Sequence, residues 1–120
     1  MITNTHRFCI APMMKKTDRH FRFLARQFTK NSMLYTEMIH SNAILKGNVE
    51  KLLSYDDCEH PVGLQLGGSE PKSLAEAAII GQEYGYDEIN LNVGCPSKKV
   101  KSGNFGVFLM KNVKLLSECV

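Results

Sequence analysis

The chain has 120 residues, of which 43% are hydrophobic and 22% charged, and its formal net charge is +3 at pH 7. This is the composition of an ordinary globular protein with one modest core, and the small net charge does not by itself indicate a nucleic-acid partner. No stretch is long and apolar enough to cross a membrane, and residues 1–7 lack the apolar core of a secretion signal, so we expect a soluble cytoplasmic protein.

The four cysteines, Cys9, Cys58, Cys95 and Cys119, lie far apart in the sequence and form no C-x-x-C pair. Metal centres and thioredoxin-like sites need closer spacing of their sulfur ligands, so the sequence predicts neither of them. In a chain without a secretion signal, we expect the four thiols to be reduced.

Two short strands and one helix are predicted in the first third of the chain. Residues 8–11 form an apolar run that Pro12 ends, and residues 33–36 form a second run. Between them, a helix is expected to begin at a capping Thr17 or Asp18 and to end near residue 28. Its buried face is predicted to carry four residues: Phe21, Leu24, Ala25 and Phe28.

The middle of the chain is predicted to contain an irregular helical segment and a third strand. The segment of residues 39–53 is interrupted at Gly47, and the strand of residues 62–66 is opened by Pro61 and closed by two glycines.

A long helix and a fourth strand follow the paired glycines. Ser69 is expected to cap the helix, Pro71 lies in its first turn, and Gly85 lies past its end. The buried side of this helix is predicted to carry Leu74, Ala77, Ala78 and Ile79. Residues 87–92 are predicted to form the fourth strand, and a last helix is expected over residues 112–120.

This order of elements, with strands spaced at roughly 25–30 residues, is typical of parallel-sheet proteins. A dinucleotide-binding doubly wound sheet would need G-x-G-x-x-G after its first strand, where this chain has Pro-Met-Met-Lys-Lys at residues 12–16. A complete (β/α)8 barrel needs about 250 residues, and the last helix stops with its apolar pattern still running. We therefore predict an α/β fold that is the truncated N-terminal half of a TIM barrel.

Polar side chains lie at the predicted ends of the strands, where barrel enzymes place their chemistry. Gln65, Asn90 and Asn92 alternate with apolar residues in their strands, so they point away from the apolar face. Buried amides need hydrogen-bond partners. Two interpretations stay open: the amides bind a planar heterocycle, or they bond to one another and to the backbone.

Cys95 follows the fourth strand directly. A lone cysteine is more often a small buried hydrophobe than a catalytic group, but Gly94 and Pro96 place this one in a polar turn. A thiol that is mostly protonated at neutral pH can act as a general acid as well as a nucleophile, so both roles stay open. The histidines considered for activating it as a thiolate are distant in the sequence: His20, His40 and His60.

Two basic clusters also follow predicted strands: Lys15-Lys16 after the first, with Arg19 and Arg22 beyond, and Lys98, Lys99 and Lys101 after the fourth. In a barrel, both loops lie at the same mouth, where lysines suit a phosphate backbone. The alternative is that both clusters are solvated surface loops.

Several motifs occur in order along the chain. They are Ala-Pro-Met-Met at residues 11–14 with Thr-Asp-Arg-His at 17–20, Tyr-Thr-Glu-Met at 35–38, His-Pro-Val at 60–62 with Gln-Leu-Gly-Gly at 65–68, and the run from Gly-Tyr-Asp-Glu at 85–88 to Val-Gly-Cys-Pro-Ser at 93–97. Together they resemble the N-terminal portion of the tRNA-dihydrouridine synthases, subfamily A, over nearly the whole chain.

In that family, an FMN-bearing barrel reduces the C5–C6 double bond of uridine in the D-loop of tRNA, and NADPH reduces the flavin. The resemblance implies four FMN contacts: Pro12, Met13, Met14 and Gln65. It also implies that Asn92 contacts the substrate nucleotide, and that Cys95 protonates uracil C5 while a hydride passes from flavin N5 to C6. Lys98 and Lys99 are expected to contact the tRNA.

The chain departs from the family pattern at two places. Lys15 and Lys16 stand where the family usually has Asp-Trp, and Val107 and Phe108 stand where it usually has small residues. Such changes would reshape the mouth of the barrel. The later strands, which in the family hold a lysine and a histidine near the flavin, and the C-terminal helical tRNA-binding domain are absent from these 120 residues.

Two alternatives accompany the leading prediction. Another FMN barrel that reduces a free pyrimidine, similar to a dihydroorotate dehydrogenase, would share the flavin site. A non-catalytic remnant would fold poorly, because half a barrel leaves open sheet edges, and would bind RNA weakly through its lysines.

Overall fold

The computed structural model describes residues 5–120. Over these residues, the chain forms five strands: β1 (Cys9–Ile10), β2 (Met33–Tyr35), β3 (Ile39–His40), β4 (Val62–Gly67) and β5 (Glu88–Leu91). It also forms six α-helices: α1 (Arg19–Phe28), α2 (Ser41–Lys46), α3 (Val49–Leu53), α4 (Pro71–Glu83), α5 (Lys98–Ser102) and α6 (Val113–Glu118). Short 3-10 helices span Thr5–Arg7, Asp57–Glu59 and Gly106–Lys111.

All strand pairs of this sheet are parallel, and their order follows the chain. β1 pairs with β2, β2 pairs with the first half of β4, β3 pairs with the end of β4, and β5 lies on the other edge of β4. Since β2 and β3 lie end to end along one edge of β4, they act as a single interrupted strand. Sequential parallel order is that of a barrel, whereas a doubly wound sheet reverses its order at a switch point. The predicted α/β class is confirmed.

Helices cover one face of the sheet and bury its core there. Val62, Leu64 and Leu66 point to this face and pack with residues of the helices and of the turn before β5: Ile44, Leu53, Leu74, Ala77 and Tyr86. Burying each such leucine stabilises the fold by roughly 1.5–3 kcal/mol. Because side chains alternate along a strand, Gly63 and Gln65 of β4 face the opposite side, which is the interior side of a barrel.

The buried face of α1 differs from the prediction. Asp18 caps the helix as expected, but its buried residues are Arg22 and Arg26. Phe28 is 84% exposed and Leu24 56% exposed, so the prediction of an apolar buried face was wrong. The reason is that both guanidinium groups find polar partners, among them Glu59 and Pro61 far along the chain. The guanidinium of Arg22 donates to the carboxylate of Glu59, and that of Arg26 donates to four backbone carbonyl oxygens.

The segment predicted to be irregular and helical begins instead with a strand. Ile39 and His40 form β3, because they pair in parallel with Leu66 and Gly67 at the end of β4. The rest of the segment is helical and is broken at Gly47, as predicted. Such a two-residue strand cannot be predicted from the local sequence, because it is defined by hydrogen bonds to residues elsewhere in the chain.

Helix α4 confirms most of its predicted signals, with two corrections. Pro71 opens the helix, and Gly85 has a φ of +88° just past its end. The capping side chain is Glu70 rather than Ser69, because the Glu70 carboxylate accepts backbone N–H groups of the first turn. Ile79 is 56% exposed rather than buried, so the predicted apolar side was one position too wide.

The region after β5 is more helical than the sequence suggested. The lysine-rich segment predicted as a loop forms α5, because the Ser97 side chain accepts the backbone N–H of Val100 and caps a helical turn. The last helix is confirmed, with Asn112 as its cap. No helix within residues 5–120 is long and apolar enough to cross a bilayer.

Candidate functional site

The loop that leaves β1 is a tight turn held by polar contacts. Thr17, which is 2% exposed, accepts the backbone N–H of Met13 at 3.0 Å, and the Met13 carbonyl oxygen accepts the backbone N–H of Thr17 at 3.0 Å. Lys15 has a φ of +61°, and its N–H donates to the Glu37 carboxylate at the exit of β2. This turn leaves Met13 and Met14 about half exposed, outside the core.

Thr36 closes a gap in the sheet between β2 and β3. Its hydroxyl accepts the backbone N–H of Gln65 at 3.0 Å and donates to the carbonyl oxygen of Glu37 at 2.8 Å. Thr36 is 2% exposed, so these bonds lie away from water. The sequence indicated Thr17 only as a possible helix cap and indicated no role for Thr36 or Glu37, although Thr36 and Glu37 lie at the exit of a predicted strand.

The three amides predicted at the strand ends are brought together on the interior side of β4 and β5. Gln65 Nε2 donates to Asn90 Oδ1 at 2.8 Å, and Asn92 Nδ2 donates to Gln65 Oε1 at 2.9 Å. Asn90 lies two residues from Glu88 on the same face of β5. Of the two interpretations that the sequence left open, mutual hydrogen bonding is therefore realised, while each amide nitrogen still carries a second N–H.

Residues 92–97 connect β5 to α5 and are called the Cys95 loop below. Hydrogen bonds hold the peptide groups before and after Cys95. Asn92 Oδ1 accepts the backbone N–H of Gly94 at 3.2 Å and that of Cys95 at 2.9 Å. On the other side, the Cys95 carbonyl oxygen accepts the backbone N–H of Val107 at 3.1 Å. These bonds place a half-buried thiol at the carboxyl end of β5, next to the amide cluster.

Gly106 packs so closely against the Cys95 loop that any side chain at this position would clash with it. Its φ is +61°, and an added Cβ would lie 2.5 Å from Val100 Cγ1 and 2.7 Å from the Cys95 carbonyl oxygen. We expect Gly106→Ala to lower the free energy of unfolding by about 1–3 kcal/mol through this overpacking, as measured by urea denaturation. Gly94→Ala is the matched control, since a Cβ there meets no atom within 4 Å. Equal losses in the two variants would contradict the close approach.

The three histidines considered as partners of Cys95 are engaged elsewhere or exposed. His40 accepts a backbone N–H of the first turn of α2 through Nδ1, and burial lowers its pKa, which keeps the ring neutral. His60 Nδ1 lies 2.7 Å from Asp87 Oδ2 beside the start of β4, at the opposite end of the sheet. His20 is exposed on α1. This arrangement favours a proton-donating thiol over a histidine-activated nucleophile.

Lysines surround the carboxyl end of the sheet. Lys15 and Lys16 are exposed after β1, and Lys98 and Lys99 are exposed in the helix that follows the Cys95 loop. Residues 98–118 contain five lysines and one glutamate, a net charge of +4 that exceeds the +3 of the whole chain. In the described part of the chain, none of these lysines pairs with a carboxylate. These exposed lysines at the carboxyl end of the sheet are compatible with both interpretations from the sequence, a basic mouth and solvated surface loops.

A cavity of about 370 Å³ lies within the same basic region. Its lining residues are Lys101, Asn104, Phe108, Leu109, Lys111, Asn112 and Leu115. The ammonium nitrogen of Lys111 lies 5.5 Å from the centroid of the Phe108 ring, a cation–π arrangement. The departure at Phe108 therefore adds an aromatic surface among the lysines.

Comparison with known proteins shows the family. Residues 9–120 match the family described as Dihydrouridine synthase (Dus). A curated relative from Synechocystis sp., named tRNA-dihydrouridine(20/20a) synthase, is 59% identical over 111 residues, which are 92% of this chain and 33% of the relative.

Two further relatives carry the same name. Those from Xanthomonas axonopodis pv. citri and Escherichia coli K12 are 53% and 52% identical, each over 114 residues, which are 95% of this chain and 34% and 33% of theirs. The chain thus spans about a third of the length of the curated relatives that it matches. Since the family match covers the whole sheet and the Cys95 loop, the chain belongs to the dihydrouridine synthase family, whose fold is a TIM barrel.

Proposed function

We propose that this chain forms part of the active site of a flavin-dependent enzyme that reduces uridine to 5,6-dihydrouridine in the D-loop of tRNA. The observation that carries the proposal is the position of Cys95. It lies at the carboxyl end of a barrel strand, its two peptide groups are fixed, and it is next to a cluster of interior amides. A fixed thiol at this place suits proton donation to a base held at the mouth of the barrel.

The residues proposed to hold FMN fit that group. Met13 and Met14 are half exposed, and with Pro12 they offer apolar surface at the exit of β1 to a flat ring. Gln65 lies on the interior side of β4 and keeps one N–H beyond its bond to Asn90, which suits a polar ring edge. When bound and reduced by NADPH, FMN supplies the hydride for uracil C6.

The chain's own residues supply the proton and the position of the base. The Cys95 thiol donates its proton to C5, so that this proton and the hydride at C6 together saturate the C5–C6 double bond. Asn92 Nδ2 retains one N–H beyond its bond to Gln65, and we assign this N–H to the substrate nucleotide. A uridine extruded from the tRNA would present its edge to these two groups.

The lysines that follow Cys95 are assigned to the tRNA backbone. Lys98 and Lys99 lie in the first turn of α5, immediately after the loop, so phosphates that flank an extruded base would lie near them. Their ammonium groups carry no ion pair in residues 5–120, which leaves their charge available for phosphate.

The proposal is tested by joining residues 9–120 to the remaining two thirds of the Synechocystis relative. We expect the chimera to bind FMN, seen as a flavin absorption band, and to form dihydrouridine in unmodified tRNA with NADPH, at a rate near that of the relative itself. Reduction of free uracil or uridine without reduction of tRNA would show a free-pyrimidine reductase instead. A chimera that binds FMN and tRNA but reduces neither would contradict the proposal.

A further inference from the structure

We infer that Asn92 also acts as a positioning residue, because its side chain holds the Cys95 loop in place. Asn92 is the last member of a series of hydrogen-bonded side chains in which every amide can take only one of its two orientations. This series of side chains, called the amide chain below, is hydrogen-bonded from Asn90 through Gln65 to Asn92, and Glu88 adjoins Asn90 on the same face of β5. The structural inference stands on these contacts, and its consequence for proton donation rests on the proposed role of Cys95.

The lower end of the amide chain is an acceptor. The Glu88 carboxylate accepts from the hydroxyl of Tyr35 at 2.7 Å, and its other oxygen lies 2.5 Å from His6 Nε2. Burial by itself raises the pKa of Glu88, but the hydrogen bonds from Tyr35 and His6, with a smaller contribution from Asn90, outweigh burial and hold it below the usual range. An ionised carboxylate donates nothing, so the Asn90 amide beside it favours presenting its N–H groups to Glu88 while its Oδ1 accepts from Gln65.

The upper end of the amide chain consists of donors. The backbone N–H groups of Gly94 and Cys95 both point at the Asn92 side chain, at 3.2 Å and 2.9 Å, so Asn92 must present Oδ1 to them. Its Nδ2 is then turned to Gln65 Oε1, and Gln65 Nε2 is turned to Asn90. An acceptor at one end and donors at the other therefore determine the orientation of every amide between them.

If any one amide of the amide chain exchanged the positions of its oxygen and nitrogen, two donors or two acceptors would face each other. Such a mismatch leaves a polar group without a partner, which is costly where water cannot replace it. Gln65 is 8% exposed, and no buried side-chain nitrogen or oxygen among the described residues lacks a partner. The interior side of β4 and β5 is thus organised to hold Asn92 Oδ1 under the Cys95 loop.

The first experiment measures hydrogen exchange of the Gly94 and Cys95 amides in the 120-residue chain. Asn92→Ala removes the acceptor, and we expect these two amides to exchange at least about tenfold faster. Asn92→Asp keeps an acceptor and is expected to keep their protection. Asn48→Ala is the control, since Asn48 also accepts a backbone N–H through Oδ1, at the start of α3. Unchanged protection in Asn92→Ala would overturn the inference.

The second experiment tests the direction of the amide chain by urea unfolding. In Asn92→Asp, a carboxylate oxygen faces Gln65 Oε1, so two acceptors meet. If the Gln65 and Asn90 amides both turn over to relieve this contact, Asn90 Oδ1 then faces the Glu88 carboxylate, and two acceptors meet there instead. Glu88→Gln supplies a donor at that end and permits the reversed chain. We therefore expect the folding equilibrium constant of the double variant to exceed the product of the single effects by about 5–30-fold, although the two residues lie about 13 Å apart along β5.

Two outcomes would overturn the directed chain. One is the absence of coupling, seen either as additive effects or as a double variant that fails to fold where Asn92→Asp also fails. The other is a coupling that disappears in 1 M salt, since this marks repulsion through solvent between the carboxylate introduced by Asn92→Asp and that of Glu88. Neither experiment needs flavin or tRNA, so their failure is distinguishable from a failure of the proposed reaction.

Discussion

Replacing Glu59 with alanine is expected to lower the free energy of unfolding by about 3–5 kcal/mol. The Glu59 side chain is fully buried, and its carboxylate accepts from Arg22 Nε at 2.6 Å and from the backbone N–H of Asp56 at 3.0 Å. The substitution leaves the buried charge of Arg22 without its counter-ion. Since single domains are stable by about 5–15 kcal/mol, such a loss brings the chain close to unfolding.

Urea denaturation measures this loss against two comparisons. Glu83→Ala removes an exposed carboxylate at the end of α4 and is expected to change stability by less than about 0.5 kcal/mol. Arg22→Met combined with Glu59→Leu removes both charges and keeps apolar volume, so it is expected to cost less than Glu59→Ala alone. A double variant that loses as much as Glu59→Ala would show that the uncompensated charge is not the cause.

In the chimera that carries residues 9–120, Cys95→Ala is expected to lower turnover about 10²–10⁴-fold, the usual contribution of a positioned general acid. The bonds that hold the loop use the backbone N–H and carbonyl of Cys95, so alanine keeps them and removes the thiol alone. FMN and tRNA affinities are therefore expected to stay near those of the unsubstituted chimera.

Rates of dihydrouridine formation and the flavin absorption spectrum check this expectation together. Cys58→Ala is the control, because Cys58 is exposed in the short helix before β4, at the opposite end of the sheet. It is expected to leave turnover unchanged. If Cys95→Ala turned over as fast as Cys58→Ala, Cys95 would have no part in the reaction.

The position of the candidate site could be predicted from the sequence, but the side chains that contact one another within it could not. The run that ends in Cys95 and Pro96 showed a strand followed by a turn, because strand and turn signals are local. Which groups touch Cys95 is decided by pairing between β4 and β5, which brings Gln65 beside Asn90 and Asn92 from 25 and 27 residues away. No local pattern specifies those partners.

The sequence by itself determined the alternation of strands and helices, the position of Cys95 after a strand, and the ends of α4 at Pro71 and Gly85, since each depends on neighbouring residues. Only the tertiary structure decided which side of α1 is buried, because Arg22 finds its counter-ion 37 residues further along the chain. It also decided the direction of the amide chain, since the acceptor at Glu88 and the donors of the Cys95 loop act on it from opposite ends.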